Sequence, residues 1–482
     1  MQQIGIISIG AHIPYYFMQR STMAAAWGAR GNKGCRSVAN VDEDAVTMAV
    51  EAVRDCNCQA LPAPVTGLYF ASTTAPYAEK SHAAIIATAC NLPSSVFTAD
   101  MGGSLRAGTG AVRMACDAIA ARPDSQLVVV ASDCRNAAPK SQQEQLFGDA
   151  AAAVVLGMQN PIAVIDHISG STREIVDVWR NADERYVNTA EARFVADCGY
   201  KAAVQDAVTS FFTESGTTAA DYAKAVFSTS DLREHLAVAK KLGFAPEQIQ
   251  DPLMLEVGCA GSAQALLLLA TALETAKPGD KILVVNYGNG ADVIALTVTE
   301  AIEKCPRQSD MHSLLGSRRE LADYARFLSF RGIVDAVAGE PFRLTVSTSM
   351  TWRDRETYIG LNGSVCTACG ATAFPVNRVC HACASKDTFT VSPRSLKEPE
   401  IFTFSIDRLA GRSDDPIVVQ TVADDADGCR YYLNMTDFDP DQIHIGKPLR
   451  FTFRKVHNLG NFVNYYWKFR PARTAKEHNN ER

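Results

Sequence analysis

Two Cys-x-x-Cys pairs, Cys366-Thr-Ala-Cys369 and Cys380-His-Ala-Cys383, carry the most specific chemical signal in this sequence. Each pair sets two sulfurs on one side of a tight turn, and two such turns joined by a short insert let four thiolates converge on a tetrahedral zinc ion. Thiol–disulfide exchange at a single pair is the competing chemistry. The second pair, separated from the first by a hairpin-length insert, favours metal. Four cysteine ligands leave no open coordination position, so the expected ion is structural zinc. His381, inside the second pair, is expected to stand outside the ligand set.

The elements around this cluster must hold it in place. After it, the runs Ile401–Ile406, Ile417–Val422, Arg430–Asn434, Leu449–Arg454 and Phe462–Lys468 alternate apolar and polar residues, as half-buried strands do. Five short strands fit a small β-barrel. Before it, a charged helical stretch separates the cluster from the first part of the chain. The organisation read from these shifts is a first domain over 1–302, with halves of about 1–160 and 161–302, and a helical linker over 303–340. A zinc ribbon with a preceding helix follows over 341–393, then a barrel over 394–475 and a polar tail over 476–482.

The chain has 482 residues, of which 47% are hydrophobic and 21% charged, enough for several well-buried cores. A net charge of −6 without a long Lys/Arg run argues against nucleic acid or an anionic membrane as principal partner. No apolar stretch approaches the ~20 residues that cross a bilayer, and no signal-like segment opens the sequence. A cytoplasmic protein is expected. Most of the 14 cysteines, Cys56, Cys90, Cys116 and Cys134 among them, sit among Ala, Val and Ile and read as small core residues.

Within the first 300 residues three segments recur in the same order. Gly67–Thr73 pairs with Ala225–Ser230, Val96–Asp100 with Leu253–Val257, and Leu127–Asp133 with Ile282–Gly288, all at nearly constant spacing. This predicts a duplicated unit with a mostly parallel sheet and helices, the Ala-rich stretches Gly108–Ala121 and Ser262–Lys277 being sandwiched between layers. A single doubly wound sheet is the simpler alternative.

Asp42–Val50, Gly148–Gly157 and Lys277–Gly288 together resemble hydroxymethylglutaryl-CoA synthase and its relative ketoacyl-ACP synthase III. The resemblance spans residues 2 to about 300 and implies the five-layer αβαβα thiolase fold. The four-cysteine ribbon and barrel, roughly Trp352 to Arg473, resemble the zinc-ribbon/OB-fold proteins that accompany acyl-CoA enzymes of that superfamily. In the family, a nucleophilic cysteine follows the aspartate of a segment matched here by Asp100, Gly108 and Thr109; its position falls on Leu105. The family histidine falls on Ser228, the asparagine on Cys259 and the glutamate on Thr73. Gly288 and Gly290 fall in the loop whose backbone N–H groups stabilise an oxyanion. Tyr287 falls where thiolases carry a second, acid/base cysteine; it either packs the site or relays a proton if the pocket lowers its pKa. Asp292 is a base or a capping carboxylate, Cys259 a relocated nucleophile or a small buried residue, and His235 a surface or structural residue.

Loss of the usual nucleophile also resembles the thiolase-fold aldolases of steroid side-chain degradation. That likeness implies aldol or retro-aldol chemistry on a 3-hydroxyacyl-CoA, with coenzyme A as part of the substrate, no acyl-enzyme, and a homodimer. A Claisen-type thiolase or synthase acylated on Cys259, and a non-catalytic acyl-CoA-binding partner of an active thiolase, are the alternatives.

Overall fold

Successive side chains of a strand face opposite sides of its sheet, and this alternation sorts the residues up to 298 into layers. The computed structural model describes residues 3–58, 61, 63–229, 231–305, 309–335, 347–459 and 462–473. Among them the first part of the chain forms a nine-stranded sheet. Its strands are β1 (Gly5–His12), β2 (Gly67–Ala71), β3 (Phe97–Met101), β4 (Leu127–Asp133), β5 (Ala150–Gly157), β6 (Ala163–Thr172), β7 (Lys224–Phe227), β8 (Lys281–Tyr287) and β9 (Gly290–Val298). They lie in the order β7-β8-β9-β6-β1-β5-β4-β2-β3.

Read outward from the centre, β1-β5-β4-β2-β3 and β6-β9-β8-β7 repeat one succession. The halves meet through two residue pairs between β1 and β6. The sheet is mixed rather than mostly parallel: β2–β3, β2–β4 and β7–β8 run parallel and the other ladders antiparallel. The expected counterpart of β3, Leu253–Val257, is a turn. Its Leu255 and Val257 carbonyls accept hydrogen bonds from the Cys35 and Ser37 N–H groups, which diverts them from the main sheet. A bridge between Ala225 and Ile249 stands beside β7 instead.

Six helices cover this sheet: α1 (Ala45–Asp55), α2 (His82–Ala89), α3 (Ala107–Ala121), α4 (Ala202–Ser215), α5 (Leu232–Lys241) and α6 (Gln264–Thr275). Leu127, Val129 and Ala131 of β4 pack in one core with α3 and α6, whereas Val128 and Val130 face α1 and α2. In the second half Ile282 and Val284 join the α3–α6 core, and Leu283 and Val285 face α4 and α5. The result is helix, sheet, helix, sheet, helix. Sheet presses on α6 from both sides, which explains why it is apolar nearly all round.

Beyond the sheet come α7 (Met311–Gly316) and α8 (Tyr324–Phe330), and Phe327 and Phe330 of α8 pack against Tyr16, Met18 and Met23. The cysteine cluster sits on β10 (Asn362–Cys366), β11 (Thr372–Ala373) and β12 (Phe389–Pro393). The five expected strands follow as β13 (Glu400–Asp407), β14 (Val418–Asp424), β15 (Arg430–Asn434), β16 (Leu449–Leu459) and β17 (Phe462–Pro471). They form a three-stranded sheet and a hairpin, linked by isolated bridges at Met435–Phe469 and Glu400–Pro448, rather than one continuous barrel ladder. Ile401, Val419, Tyr431, Phe451 and Phe469 fill the space between them. The expected tail lies outside the described residues.

The strand module is fixed to α1 by a buried charge network. Arg454, fully buried, reaches Asp42 at 3.2 Å, Glu43 at 2.8 Å and Asp437 at 2.5 Å. Lys468 pairs with Asp42 at 2.8 Å, His12 with Glu43 at 2.9 Å, and the Arg54 guanidinium lies 5.1 Å over the Trp467 ring. Among the described residues no helix is long and apolar enough to cross a membrane.

Candidate active site

The segment after β3 turns into α3 through Ser104, whose carbonyl accepts the Ala107 N–H at 3.1 Å and whose hydroxyl accepts the Arg106 N–H at 3.2 Å. Leu105 sits in this turn, half-buried. Its carbonyl accepts from Asn286 Nδ2 at 3.2 Å, and the same amide donates to Thr109 Oγ1 at 3.0 Å. Thr109 Oγ1 in turn donates to Asp292 Oδ2 at 2.5 Å, and Arg106 Nη2 donates to Asp292 Oδ1 at 2.6 Å. Both Asp292 oxygens are therefore occupied in tying the β8–β9 hairpin to the start of α3. That is a clamp, and it leaves Asp292 poorly placed as a free base.

The hairpin itself carries Tyr287, Gly288 and Gly290. The Tyr287 N–H donates to Ser228 Oγ at 3.0 Å, so Ser228 orients the tyrosine backbone. The Gly288 N–H donates to the Gly290 carbonyl at 3.0 Å and is committed within the turn. Gly290 has φ of +117°, and a Cβ there would lie 2.1 Å from the Ser171 carbonyl oxygen, so only glycine fits. The Tyr287 phenol donates to Asp177 Oδ2, and its ring meets Tyr200 edge-on at 5.4 Å between centroids. Burial, then the hydrogen bond to the Asp177 carboxylate, pushes the phenol pKa well above its usual value. The condition that the pocket lowers this pKa is thus reversed: an apolar surround and an anionic neighbour both favour the neutral phenol.

Thr73 belongs to a separate group at the ends of β2 and β4. Its N–H and hydroxyl donate to Asp133 at 2.7 and 3.0 Å, and Ser72, Thr74 and the Ser262 N–H donate to the same buried carboxylate. Gly261 is required beside it, because a Cβ would lie 2.3 Å from Asp133 Oδ2. Cys259 is buried among Ala137, Phe147 and Met254, with its thiol 3.4 Å from Gln264 Oε1. His235 is buried rather than at the surface, and among the described residues neither ring nitrogen has a hydrogen-bond partner. Burial lowers its pKa.

The four cluster cysteines bring their sulfurs within 4.8 Å of one another. Cys366–Cys383 and Cys369–Cys380 are separated by 3.7 and 3.6 Å. A tetrahedron with metal–sulfur bonds of about 2.3 Å has edges of about 3.8 Å, so the donor set fits a thiolate-bound ion. His381 is not part of the group.

Residues 212–299 match the family model described as 3-oxoacyl-[acyl-carrier-protein (ACP)] synthase III C terminal. A hydroxymethylglutaryl-CoA synthase from Methanosphaera stadtmanae is 32% identical over 340 residues, covering 68% of this chain and 98% of the relative. The enzyme of the same name from Aeropyrum pernix is 32% identical over 341 residues, covering 68% of this chain and 94% of its own length. The chain belongs to the hydroxymethylglutaryl-CoA synthase family. Solved structures agree on the fold. An HMG-CoA synthase complexed with CoA superposes with a TM-score of 0.63 at 18% identity, over 72% of this chain and 95% of the other. Synthase III, FabH, from Pseudomonas aeruginosa superposes with a TM-score of 0.55 at 18% identity, over 62% and 99%.

In this family member the candidate residues divide into two groups. Leu105, Ser228, Tyr287, Gly288, Gly290 and Asp292 are linked around the β8–β9 hairpin, whereas Thr73 is tied to Asp133 and Cys259 to Gln264. Sequence reasoning passed over Arg106, Asn286, Asp133, Asp177 and Tyr200. Asp133 and Asn286 did carry a signal, each being a polar residue near the end of an apolar strand. Asp177 carried none.

Proposed function

We propose that this chain makes or breaks a carbon–carbon bond by aldol chemistry on a 3-hydroxyacyl-CoA, with no acyl group carried on residue 105. The observation that supports this most directly is Leu105 itself, a hydrocarbon residue in the turn that opens α3, whose carbonyl accepts from the Asn286 amide next to Tyr287. It has no atom that can attack a thioester. In the cleavage direction Tyr287 takes the β-hydroxyl proton while its own phenol proton moves along the hydrogen bond it donates, the Cα–Cβ bond breaks, and its electron pair passes into the thioester as an enolate. The enolate oxygen needs a donor. Because the Gly288 amide is committed to Gly290, the Leu105 N–H at the positive end of α3 is the better one; among the described residues it donates to no protein acceptor.

The CoA complex of a solved HMG-CoA synthase supports a CoA thioester as substrate. Cys366, Cys369, Cys380 and Cys383 would hold a structural zinc ion, which when bound crosslinks the ribbon. An open edge at β3 with Phe97 63% exposed supports a second copy of the chain as partner. Acylation of Cys259 is disfavoured by its burial and by Gln264.

The test is incubation of the full chain with a panel of 3-hydroxyacyl-CoAs, separating acyl-CoA and carbonyl products, with intact-mass measurement of protein quenched during turnover. Products from an unmodified chain are expected. An acyl adduct on Cys259 would favour a Claisen-type transferase. Turnover that appears only beside a cysteine-bearing thiolase would favour a binding partner.

A further inference from the structure

Between β6 and α4 the chain makes an excursion, residues 173–201, that returns over the β8–β9 hairpin. Val178–Trp179 pairs with Asn188–Thr189, and the excursion ends in a π-helical turn, Val195–Lys201. Asp177 lies at its base and is 4% exposed. Its Oδ1 accepts the Val178 N–H at 2.7 Å, its carbonyl accepts the Ala190 N–H at 2.8 Å, and its Oδ2 accepts the Tyr287 phenol. Among the described residues Asp177 takes part in no ion pair; Arg173, the nearby cation, is turned to Asp206. A carboxylate removed from water without a cation is costly, and here its side-chain partner is a phenol. Such an arrangement is better explained by chemistry than by stability.

The backbone makes room for this pair. A Cβ on Gly199 would lie 2.5 Å from the Tyr287 hydroxyl oxygen and 3.7 Å from Asp177 Oδ2, so any side chain at 199 would drive the phenol out of place. Gly199 sits within the π-helical turn, a distortion that costs regular hydrogen bonding and recurs at functional sites. The next residue, Tyr200, supplies the ring that meets Tyr287 edge-on. The charged groups around the pair are Arg173 on the excursion, and Asp231 and Glu234 beyond Tyr200 on the α5 side.

We infer that Asp177 is the positioning residue of this site, holding Tyr287 for proton transfer and receiving the phenol proton as Tyr287 takes the proton of the substrate's β-hydroxyl. This rests on the aldol reading. In the cleavage direction the hydroxyl proton moves to Tyr287 Oη and the phenol proton to Asp177 Oδ2. The Cα–Cβ bond breaks, the β-carbon becomes the carbonyl product, and the bonding pair becomes the enolate. Return of a proton from Asp177 through Tyr287 to Cα releases the acyl-CoA and restores the starting pair. Burial and Asp177 both keep the resting phenol protonated, as this sequence requires.

The test uses the full chain and the variants Asp177→Asn, Tyr287→Phe, their combination and Gly199→Ala. Asp177→Asn should lower kcat about 100-fold or more with KM little changed. The double variant should be no slower than Tyr287→Phe alone, because both changes cut one relay. A readout independent of turnover is the NMR signal of tyrosine labelled with carbon-13 at Cζ, assigned to Tyr287 by its absence in Tyr287→Phe. In Asp177→Asn and Gly199→Ala its titration should move toward the ordinary phenol range. A titration unmoved by Asp177→Asn, or a variant with wild-type kcat, overturns the assignment. A titration that moves while the wild-type chain cleaves no 3-hydroxyacyl-CoA overturns the aldol reading, and the relay with it, but leaves the pairing.

Discussion

Replacing Arg454 by methionine tests whether the strand module is held by charge to Asp42 and Glu43, just before α1. The guanidinium is fully buried and stands within 3.2 Å of three carboxylates, those of Asp42, Glu43 and Asp437. Methionine keeps much of the length and none of the charge. Lys468 would still face Asp42 and His12 would still face Glu43, but Asp437 would keep only the Asn40 amide at 3.0 Å. Removing one partner of a buried pair typically costs about 3–5 kcal/mol, and the upper end is expected here because three anions lose one cation. The pH dependence follows from the carboxylates. Burial raises the Asp42 and Glu43 pKa values, but Lys468 and Arg454 for Asp42, and Arg454 and His12 for Glu43, more than reverse this, and both fall below the usual range. A depressed carboxylate contributes stability above its unfolded pKa of about 4 and loses it as the pH falls through the folded value. The variant lacks much of that depression, so its deficit should be widest near neutral pH and should narrow on acidification as the stranded carboxylates take up protons. Urea unfolding followed through the environment of Trp467, at neutral pH and near pH 5, reads both effects. A deficit below about 1 kcal/mol, or one that widens in acid, would refute the reasoning.

Other expectations are more local. Cys369→Ser should remove the metal from the chain, seen by elemental analysis, and should make the 362–393 ribbon susceptible to limited proteolysis, because three thiolates do not close a structural site. Cys259→Ala should leave the fold intact and turnover largely unchanged, since the thiol is spent on Gln264; loss of activity with an unaltered melting curve would argue for a nucleophile there. Phe97→Glu places a charge on the open β3 edge and should shift the chain toward monomer in light scattering.

The duplicated architecture was legible because burial repeats itself. Gln264–Thr275 lies between the two halves of the sheet and is apolar nearly all round, whereas its counterpart Ala107–Ala121 buries one face and exposes Arg113, Met114 and Asp117. Strand direction was less legible. A fully buried run such as Ala150–Gly157 reads alike in a parallel or an antiparallel ladder, and the antiparallel pairings at the centre were therefore missed. Leu253–Val257 shows the same limit from another side. It has the composition of a strand, but its carbonyls are claimed by Cys35 and Ser37, more than 200 positions earlier in the chain, and no local pattern announces that partner. The five late strands were found in number and order, whereas their division into a three-stranded sheet and a hairpin depends on Tyr431, Phe451 and Phe469 meeting between them.

The site was legible as far as backbone geometry dictates residue type. Gly290 must be glycine because a carbonyl occupies the place of its side chain. The same holds for the clamp around Asp292: its two oxygens answer Thr109 and Arg106, a need set by joining a hairpin to a helix and not by any substrate. Resemblance therefore locates the frame and is weakest on the reacting groups. Asp177 lies in a segment with no motif, yet its carboxylate and the Gly199 gap together decide where the Tyr287 phenol points. Aldol chemistry without an acyl-enzyme needs a proton acceptor in place, and an irregular excursion is where one can stand without disturbing the sheets. The proton acceptor of the proposed aldol reaction should therefore be sought first in the excursion between β6 and α4.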